Sequence, residues 1–272
     1  MKPNKYLAYA GCAALLIGPA ASLAYDHDDD DDEIPFAEAH VFFELNNTDG
    51  DLGIHALIDG DPWKRLQIED MNESRILGVN VRGRLRRQGL TEIFFESAEP
   101  PFDELAPAVF FKRFPEGTYE IEGRTLDGAE MESETELTHA MPAPPVPTVN
   151  GIPAAAQCDD EQPGYDAPVI EADEYVIAWD PVTMTHPTLG HPQGASGLVV
   201  VNYEVVVEAE LEIDGEEFAS VFSVILPPDV TEMTIPEQFM EQTETFKYEV
   251  LAREESWNQT AIESCFLTEE DE

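Results

Sequence analysis

The chain has 272 residues, 43% of them hydrophobic, which is enough apolar side chain to build folded cores rather than a disordered polymer. Asp and Glu number 57 against 14 Lys and Arg, so the formal net charge is −43 at pH 7. A charge of this sign and size excludes nucleic acids and anionic lipid surfaces as partners, because both must be bound by cations that neutralise phosphates.

Residues 1–24 have the pattern of a secretory signal peptide. Lys2 and Lys5 precede an apolar run rich in Ala and Leu, and small residues stand at positions −3 and −1 of a cut after Ala24. Export to the periplasm, the cell surface or the medium is therefore predicted, with no integral membrane segment left after cleavage. Two alternatives stay open, namely a transmembrane anchor formed by the same run and a lipoprotein anchored through Cys12.

Cleavage after Ala24 leaves two cysteines, Cys158 and Cys265. An even pair of cysteines in an oxidising compartment predicts one disulfide, which here would join the start of the second half of the chain to its last strand. The alternative, a metal site built on the same pair, is disfavoured because no His stands at ligand spacing from either cysteine.

Two segments are predicted to lack a core of their own. Residues 25–35 are expected to be an acidic disordered tail, because the run Asp26–Glu33 is almost entirely carboxylate and has no apolar surface to bury. Residues 141–165 carry six prolines between small residues, which predicts an extended, semi-rigid linker between two domains.

Residues 36–140 are predicted to form a β-sandwich domain. Short apolar stretches alternate there with Asn, Asp, Gly and Pro turn signals, including a turn at Asp59–Pro62 between two strands. One short helix is predicted within Asp103–Phe114, with Asp103 as its N-cap and Pro107 limiting its length. The ending of this domain, Gly117 to Gly128, faintly resembles bacterial immunoglobulin-like modules.

Residues 166–268 are predicted to form a second β domain. From Tyr203 to Ile213 apolar residues alternate with carboxylates, which indicates a half-buried strand with one acidic face. Asp214-Gly215 is a turn signal, and Phe218–Leu226 is predicted to return as the second strand of a long hairpin.

The order of landmarks in residues 166–268 resembles a fibronectin type III domain. Trp179 resembles the core tryptophan of that family's second strand, and Tyr203 resembles the aromatic residue of its third. Phe246 stands where the family has a corner tyrosine, and so departs from the pattern. The resemblance implies a second β-sandwich, so the predicted architecture is all-β, with two immunoglobulin-like sandwich domains in series and one short helix in the first.

The first domain contains a candidate calcium site. Oxygen-bearing side chains are concentrated in the turn near residue 50 and again shortly after it, and calcium prefers six to eight such hard ligands. The candidate ligands are Asn47, Asp49, Asp51, Asp59 and Asp61. The alternative is a solvated turn whose Asn and Asp side chains serve backbone geometry only. No other cofactor is predicted.

A basic stripe and a histidine-containing loop are the other candidate sites. Arg82, Arg84 and Arg86 alternate along a predicted strand, where they would either pair with carboxylates or dock an anionic partner. His186 and His191 lie in one Pro/Gly-rich loop and are candidates for a metal or catalytic role, with simple exposure as the alternative.

No catalytic motif is recognised in the sequence. The leading hypothesis is a non-catalytic binding or envelope-associated protein with a protein or polysaccharide partner, based on export, tandem sandwiches and a spacer. The competing hypothesis is a secreted hydrolase that uses loop carboxylates or the His186/His191 loop.

Overall fold

The computed structural model of the protein describes residues 33–158, 164–213 and 216–268. The predicted signal peptide, Cys12 and most of the predicted acidic tail therefore lie outside the described residues. The strands of the N-terminal half are β1 (Glu38–Asn46), β2 (Asp51–Glu69), β3 (Arg75–Asn80), β4 (Leu90–Glu96), β5 (Gly117–Thr125) and β6 (Glu130–Leu137), with helix α1 (Pro107–Arg113) between β4 and β5.

The C-terminal half contributes nine further strands. They are β7 (Thr148–Val149), β8 (Ile152–Pro153), β9 (Val169–Ile170), β10 (Val176–Ala178), β11 (Val200–Ile213), β12 (Glu216–Leu226), β13 (Glu232–Thr234), β14 (Thr245–Glu254) and β15 (Gln259–Thr268), with helix α2 (Glu237–Met240) before β14. The fold is mostly β, as predicted, and the second short helix is an addition that the sequence pattern did not indicate. No helix in the described ranges is long and apolar enough to cross a membrane.

The strands form one long sheet and one short one. The long sheet has the order β12-β11-β14-β15-β1-β2-β5-β6, with β3 and β4 also paired to β2 and β9 paired to β15. The short sheet has the order β13-β10-β7-β8 and covers the inner side of the C-terminal half. All pairs in the long sheet are antiparallel except β1 with β15 and β9 with β15.

The parallel pair of β1 and β15 joins the two halves of the chain. Glu44 is in register with Gln259, Leu45 with Thr260 and Asn46 with Ala261. Because the first strand of one half extends the sheet of the other, the molecule is not a clear series of two separate sandwiches. The domain boundaries drawn from the sequence stay a prediction.

Two buried clusters fill the space beneath the long sheet. The N-terminal cluster includes Trp63, Phe43 and Tyr119, and the C-terminal cluster includes Trp179 and Tyr203, all nearly inaccessible to solvent. The rings of Trp179 and Tyr203 lie 5.2 Å apart, and the Tyr203 hydroxyl accepts a hydrogen bond from the Val182 N–H at 2.8 Å. This hydroxyl is satisfied, as a buried polar group needs to be.

Strand β2 replaces two predicted strands and the turn between them. Asp59 to Trp63 is an irregularity in the pairing of β2 with β4, and the strand continues past it to Glu69. The prediction of a turn at Asp59–Pro62 is therefore wrong. An irregularity of this kind bends a strand without ending it, which is why Gly60 and Pro62 are tolerated inside β2.

Helix α1 begins later than predicted. Ala106 occupies the N-cap position without a side-chain hydrogen bond, and Pro107 is the first helical residue. Proline is favoured there because its missing N–H would have no partner within the helix in any case. The prediction of Asp103 as the cap is wrong, and the helix has only seven residues.

The Pro-rich segment is packed rather than exposed. It contributes β7 and β8, and Met141, Pro142 and Val149 are buried. The described end of the predicted tail is also ordered, because Ile34 pairs with Met131 beside β6. The described residues of 141–165 are therefore partly packed, and a disordered tail does not reach Ile34, while the linker itself stays a prediction.

The hairpin of β11 and β12 agrees with the prediction from alternation. Tyr203, Val205, Val207 and Ala209 are buried, while Glu208 and Glu210 lie on the opposite face and remain partly accessible. The predicted turn residues Asp214 and Gly215 lie outside the described residues. Period-two patterning thus assigned the two faces of the longest hairpin correctly.

Candidate functional site

The turn between β1 and β2 holds two of the predicted calcium ligands, Asn47 and Asp49, with Asp51 following as the first residue of β2, and the turn docks onto β15. Asn46 donates from Nδ2 to Glu263 Oε1 at 2.8 Å, and the Glu263 N–H donates to Thr48 Oγ1 at 2.9 Å. Asn47 accepts at Oδ1 from His186 Nε2 at 3.0 Å. These contacts join the two halves of the molecule, a role that neither the predicted calcium site nor the alternative of a solvated turn had indicated.

The remaining candidate ligands are not brought together. Asp59 and Asp61 lie on the same strand as Asp51 but at least eight residues further along, which at the rise of an extended strand is about 26 Å from Asp59 to Asp51. The five residues therefore do not form one calcium site. Across residues 33–158, 164–213 and 216–268, no group of three or more His, Cys, Asp or Glu side chains is arranged to hold a metal ion.

The three arginines of the predicted basic stripe lie after β3, not along it. β3 ends at Asn80, Gly83 has a φ of +65°, and Leu85–Arg87 is a short 3-10 turn. A left-handed glycine ends strand alternation, so the prediction that Arg82, Arg84 and Arg86 line one strand face is wrong. All three are exposed, and their docking of an anionic partner stays a prediction.

The His186/His191 loop divides into an internal contact at His186 and an exposed side chain at His191. His186 is buried, and its Nδ1 accepts the backbone N–H groups of Thr188 and Leu189 at 3.2 and 3.0 Å. The ring proton therefore lies on Nε2, where it is donated to Asn47. Burial lowers the pKa of His186, which favours the neutral ring. With both nitrogens engaged, His186 does not provide the base that a hydrolase in this loop would need.

The outward face of the long sheet carries a row of carboxylates, which we call the carboxylate face: Glu44, Glu204, Glu208, Glu249 and Glu263. Glu249 and Glu263 are directly opposite on neighbouring strands, which is unfavourable for two like charges. Burial, together with repulsion from Glu44 and Glu263, raises the pKa of Glu249 well above its ordinary value. Three cations or potential cations, Arg253, Lys247 and His55, lie among these acids.

His55 is the most enclosed charged group on this face, with 1% of its surface exposed. Its Nε2 is 3.0 Å from Glu99 Oε1, and its Nδ1 is 3.5 Å from Glu44 Oε2. Burial opposes protonation, but the hydrogen bond with Glu99 and the two negative charges raise its pKa overall. Gly53 makes room for this arrangement, since a Cβ there would lie 2.8 Å from Glu99 Cδ.

Sequence patterning did not indicate the group around His55. Leu52, Ile54, Ala56 and Ile58 alternate as core positions, and this alternation alone places His55 on the opposite face of β2. It is buried because Glu99, from the segment after β4, folds back over it. A loop that covers a strand leaves no periodic signal, so these residues escaped the sequence analysis.

Asp51, beside the carboxylate face, makes the stability of the folded protein depend on pH. Its Oδ1 is buried and has no hydrogen-bond partner among the described residues, and burial plus repulsion from Glu99 and Asp49 raises its pKa to about 7. Ionised Asp51 is therefore disfavoured in the folded state, and this penalty grows as pH rises from about 4 to about 7. His55 acts in the same direction, because the stability it gains from its raised pKa is lost as pH rises through that pKa.

We expect the melting temperature to fall as pH rises from about 5 to about 8, and Asp51→Asn to reduce this fall by removing one titrating group. Asp59→Asn is the matched control, since it makes the same change further along β2, away from Glu99 and Asp49. Melting curves followed by circular dichroism at several pH values measure the effect. Identical pH dependence in the two variants would contradict it.

The disulfide predicted from cysteine number is present. Cys158 and Cys265 are bonded, with their Cα atoms 5.7 Å apart, and they are separated by 107 residues. Cys265 lies in β15, the strand that also pairs with β1. The bridge therefore anchors the start of the C-terminal half to the strand on which the two halves meet.

The two outer edges of the long sheet differ in charge. β6, at one end, alternates four glutamates along its length, Glu130, Glu132, Glu134 and Glu136. β12, at the other end, has no charged residue from Phe218 to Leu226. Phe218, Val221 and Ile225 are 55%, 44% and 45% exposed. An uncharged, partly exposed strand is unusual on a chain of charge −43, and we call it the β12 edge.

Comparison with known proteins finds distant structural matches only. No protein-family model matches the chain, and no curated protein matches its sequence. A 1.5-MDa bacterial ice-binding adhesin has 10% identity over 87% of this chain and 65% of that one, with a TM-score of 0.21. The BSP domain of a biofilm-associated protein has 10% identity over 87% of this chain and 30% of that one, with a TM-score of 0.23.

The chain spans less than two thirds of the length of either of these solved structures. Both have only a distant structural likeness to this chain. At such low TM-scores the likeness carries no inference about what this chain binds, and the functional argument rests on its own residues.

Proposed function

We propose that this protein is an exported, non-catalytic binding module that attaches to a protein partner at the cell envelope or surface through the β12 edge. The β12 edge is the single observation that carries the proposal. Burying an apolar side chain is favourable in proportion to the area removed from water, and Val221 and Ile225 leave nearly half of theirs exposed.

A fibronectin type III-like C-terminal half is part of this proposal. Its support is the strand order of the two sheets, β13-β10-β7 and β12-β11-β14-β15, with Trp179 packed on Tyr203 between them. In that arrangement β7 is the first strand of the half, so its start moves into the segment 141–165. Sandwich modules of this kind serve many functions, and the binding role is therefore argued from the edge rather than from the fold.

Export is supported by the disulfide. Bonds between cysteines persist in oxidising compartments and are rare in the cytosol, where thiols are kept reduced. The bond between Cys158 and Cys265 therefore fits the predicted signal peptide. The final location of the protein, in the periplasm, at the cell surface or in the medium, is part of the proposal.

The proposal is tested by the distribution of the protein in cells that produce it. In the double variant Val221→Lys/Ile225→Lys, two lysines stand on the β12 edge, where they oppose burial against a partner. We expect the fraction of protein that sediments with the envelope to fall by about tenfold relative to the unaltered chain. The control is Met71→Lys/Val146→Lys, which changes two similarly exposed apolar residues elsewhere and should sediment normally.

Two results would contradict the proposal. One is equal sedimentation of the two double variants, which would show that the β12 edge does not mediate attachment to the envelope. The other is that the purified protein turns over a glycoside, ester or peptide substrate and that single substitutions abolish this turnover. A non-catalytic module would show no such activity.

A further inference from the structure

The β12 edge exposes main-chain hydrogen-bonding groups as well as apolar side chains. Among the described strands, β12 pairs only with β11, so its other side presents N–H and C=O groups without strand partners. Nine residues from Phe218 to Leu226 give an extended edge of about 30 Å. Such an edge is a template for pairing with another strand unless charge, proline or a covering segment protects it.

The opposite edge of the same sheet, β6, has this kind of protection. β6 places a glutamate at every second position, and Ile34 lies beside it, with hydrogen bonds of 3.0 Å between Ile34 and both Glu130 and Glu132. From Phe218 to Leu226, β12 has neither alternating charges nor a covering segment among the described residues. One edge of the sheet is thus protected by charge and by a covering segment, and the other is not. This difference is expected if the unprotected edge pairs with a partner.

The geometry points to strand addition: an extended segment of a partner protein pairs with β12 through its backbone, with apolar side chains on the core side and Lys or Arg on the outward side. This inference deepens the proposed function and rests on it. It specifies the partner's backbone conformation and its charge pattern, neither of which the attachment experiment above examines.

The apolar half of this pattern follows from the core side of β12. Phe222, Val224 and Leu226 pack partly against the C-terminal core and remain half-buried at the end of the sheet. A neighbouring strand with apolar residues at alternate positions would complete their burial. Its spacing from β12 would be about 4.8 Å, as between any two strands of a sheet.

The basic half of the pattern follows from the outward side. Glu208 and Glu210 of β11 stand opposite Val221 and Ala219 of β12, on the carboxylate face. A strand added to β12 would lie about 10 Å from β11, and long Lys or Arg side chains would extend toward these acids across the small Ala219. The length of these side chains brings their cations closer to the acids than about 8 Å, the Debye length at physiological salt, so the attraction is only partly screened.

A second copy of the chain is disfavoured as the occupant by the same charges. Pairing two β12 strands would bring two carboxylate faces into one continuous sheet, and each chain carries a formal charge of −43. Like charges at an interface oppose association, whereas opposite charges steer it and fix its register. The partner is therefore a different chain, basic on the face that it turns outward.

The test uses synthetic peptides of about nine residues, the length of the uncharged edge. One peptide alternates Val with Lys and a second alternates Val with Glu. Two further versions of the Val/Lys peptide carry N-methyl groups on one or the other alternate set of amides, which removes hydrogen-bond donors from one edge of the strand without changing its charge. Binding to the intact protein is measured by fluorescence anisotropy at physiological salt.

We expect the Val/Lys peptide to bind and the Val/Glu peptide to bind at least about tenfold more weakly. Only one of the two N-methyl patterns should abolish binding, because only one set of amides faces β12. No binding of the Val/Lys peptide, or equal binding by both N-methyl versions, overturns strand addition. A dimer of the protein alone in sedimentation equilibrium, absent in Val221→Lys/Ile225→Lys, overturns it in favour of a second copy.

These failures are distinguishable from failure of the proposed function. If Val221→Lys/Ile225→Lys releases the protein from the envelope while the peptides fail, the β12 edge binds its partner through side chains and strand addition alone is lost. If both experiments fail, the β12 edge has no binding role.

Discussion

Asn258→Ala is expected to lower the free energy of unfolding by about 4 kcal/mol, the largest effect of any single substitution considered for this chain. Asn258 is fully buried where β1, β15 and the segment after β6 meet. Its Oδ1 accepts the Phe43 N–H at 2.8 Å, and its Nδ2 donates to the Thr138 carbonyl at 2.9 Å and to the Ala140 carbonyl at 3.3 Å.

Truncating this side chain leaves the buried Phe43 N–H and the partly buried Thr138 and Ala140 carbonyls without this partner. Each buried group that loses its hydrogen bond costs about 1–3 kcal/mol, which is why the sum is large. The measurement is urea unfolding followed by circular dichroism. Asn80→Ala, at the exposed end of β3, is the control and should change stability by less than about 0.5 kcal/mol. A similar small change for Asn258→Ala would show that Asn258 does not join the two halves.

Replacing both Cys158 and Cys265 with serine is expected to cost about 3–4 kcal/mol. The bond closes a loop across 107 residues, so removing it gives the unfolded chain much more freedom while leaving most folded contacts in place. The change also puts a serine hydroxyl at the buried position 265, which adds to the cost.

Reduction of the unaltered protein supplies the matched experiment. A reducing agent should lower its urea midpoint close to that of the Cys158→Ser/Cys265→Ser variant, and should leave the variant unchanged. If thiol labelling found both cysteines free in protein taken from its own compartment, the disulfide and the argument for export would fail together.

Local patterns in the sequence predicted those parts of the molecule that depend on neighbouring residues. Alternation from Tyr203 to Ile213 correctly assigned the buried and acidic faces of β11, because side chains on a strand alternate regardless of what the strand pairs with. Trp179 and Tyr203 were correctly placed in one core. The cysteine pair was predicted from number and compartment alone.

The parts that depend on distant residues were not predictable in the same way. Nothing in the residues of β1 indicates that its free side pairs with β15, more than 200 positions later. For that reason Asn47 resembled a cation ligand, and its hydrogen bond with His186 across the junction became visible only in the folded chain. β6 was missed because its glutamates dilute the apolar alternation.

The candidate site shows the same division. That Phe218–Leu226 is a strand follows from its composition, but that it lies at the end of the sheet is a property of the whole topology. The carboxylate face was predicted on β11 alone, and its continuation through Glu249 and Glu263 to Glu44 depends on the strand order. Sequence therefore indicated the chemistry of single strands, and the fold determined which strands stand together.

The central claim is that β1 and β15 are neighbours in one sheet, because the role of the β1–β2 turn and the continuity of the carboxylate face both depend on it. Nuclear Overhauser effects between backbone protons of residues 44–46 and 259–261, recorded on the deuterated protein with protonated amides, measure this directly. The structure predicts a parallel pattern with Leu45 beside Thr260. Signals that connect β1 to β2 alone, with none to β15, would contradict it.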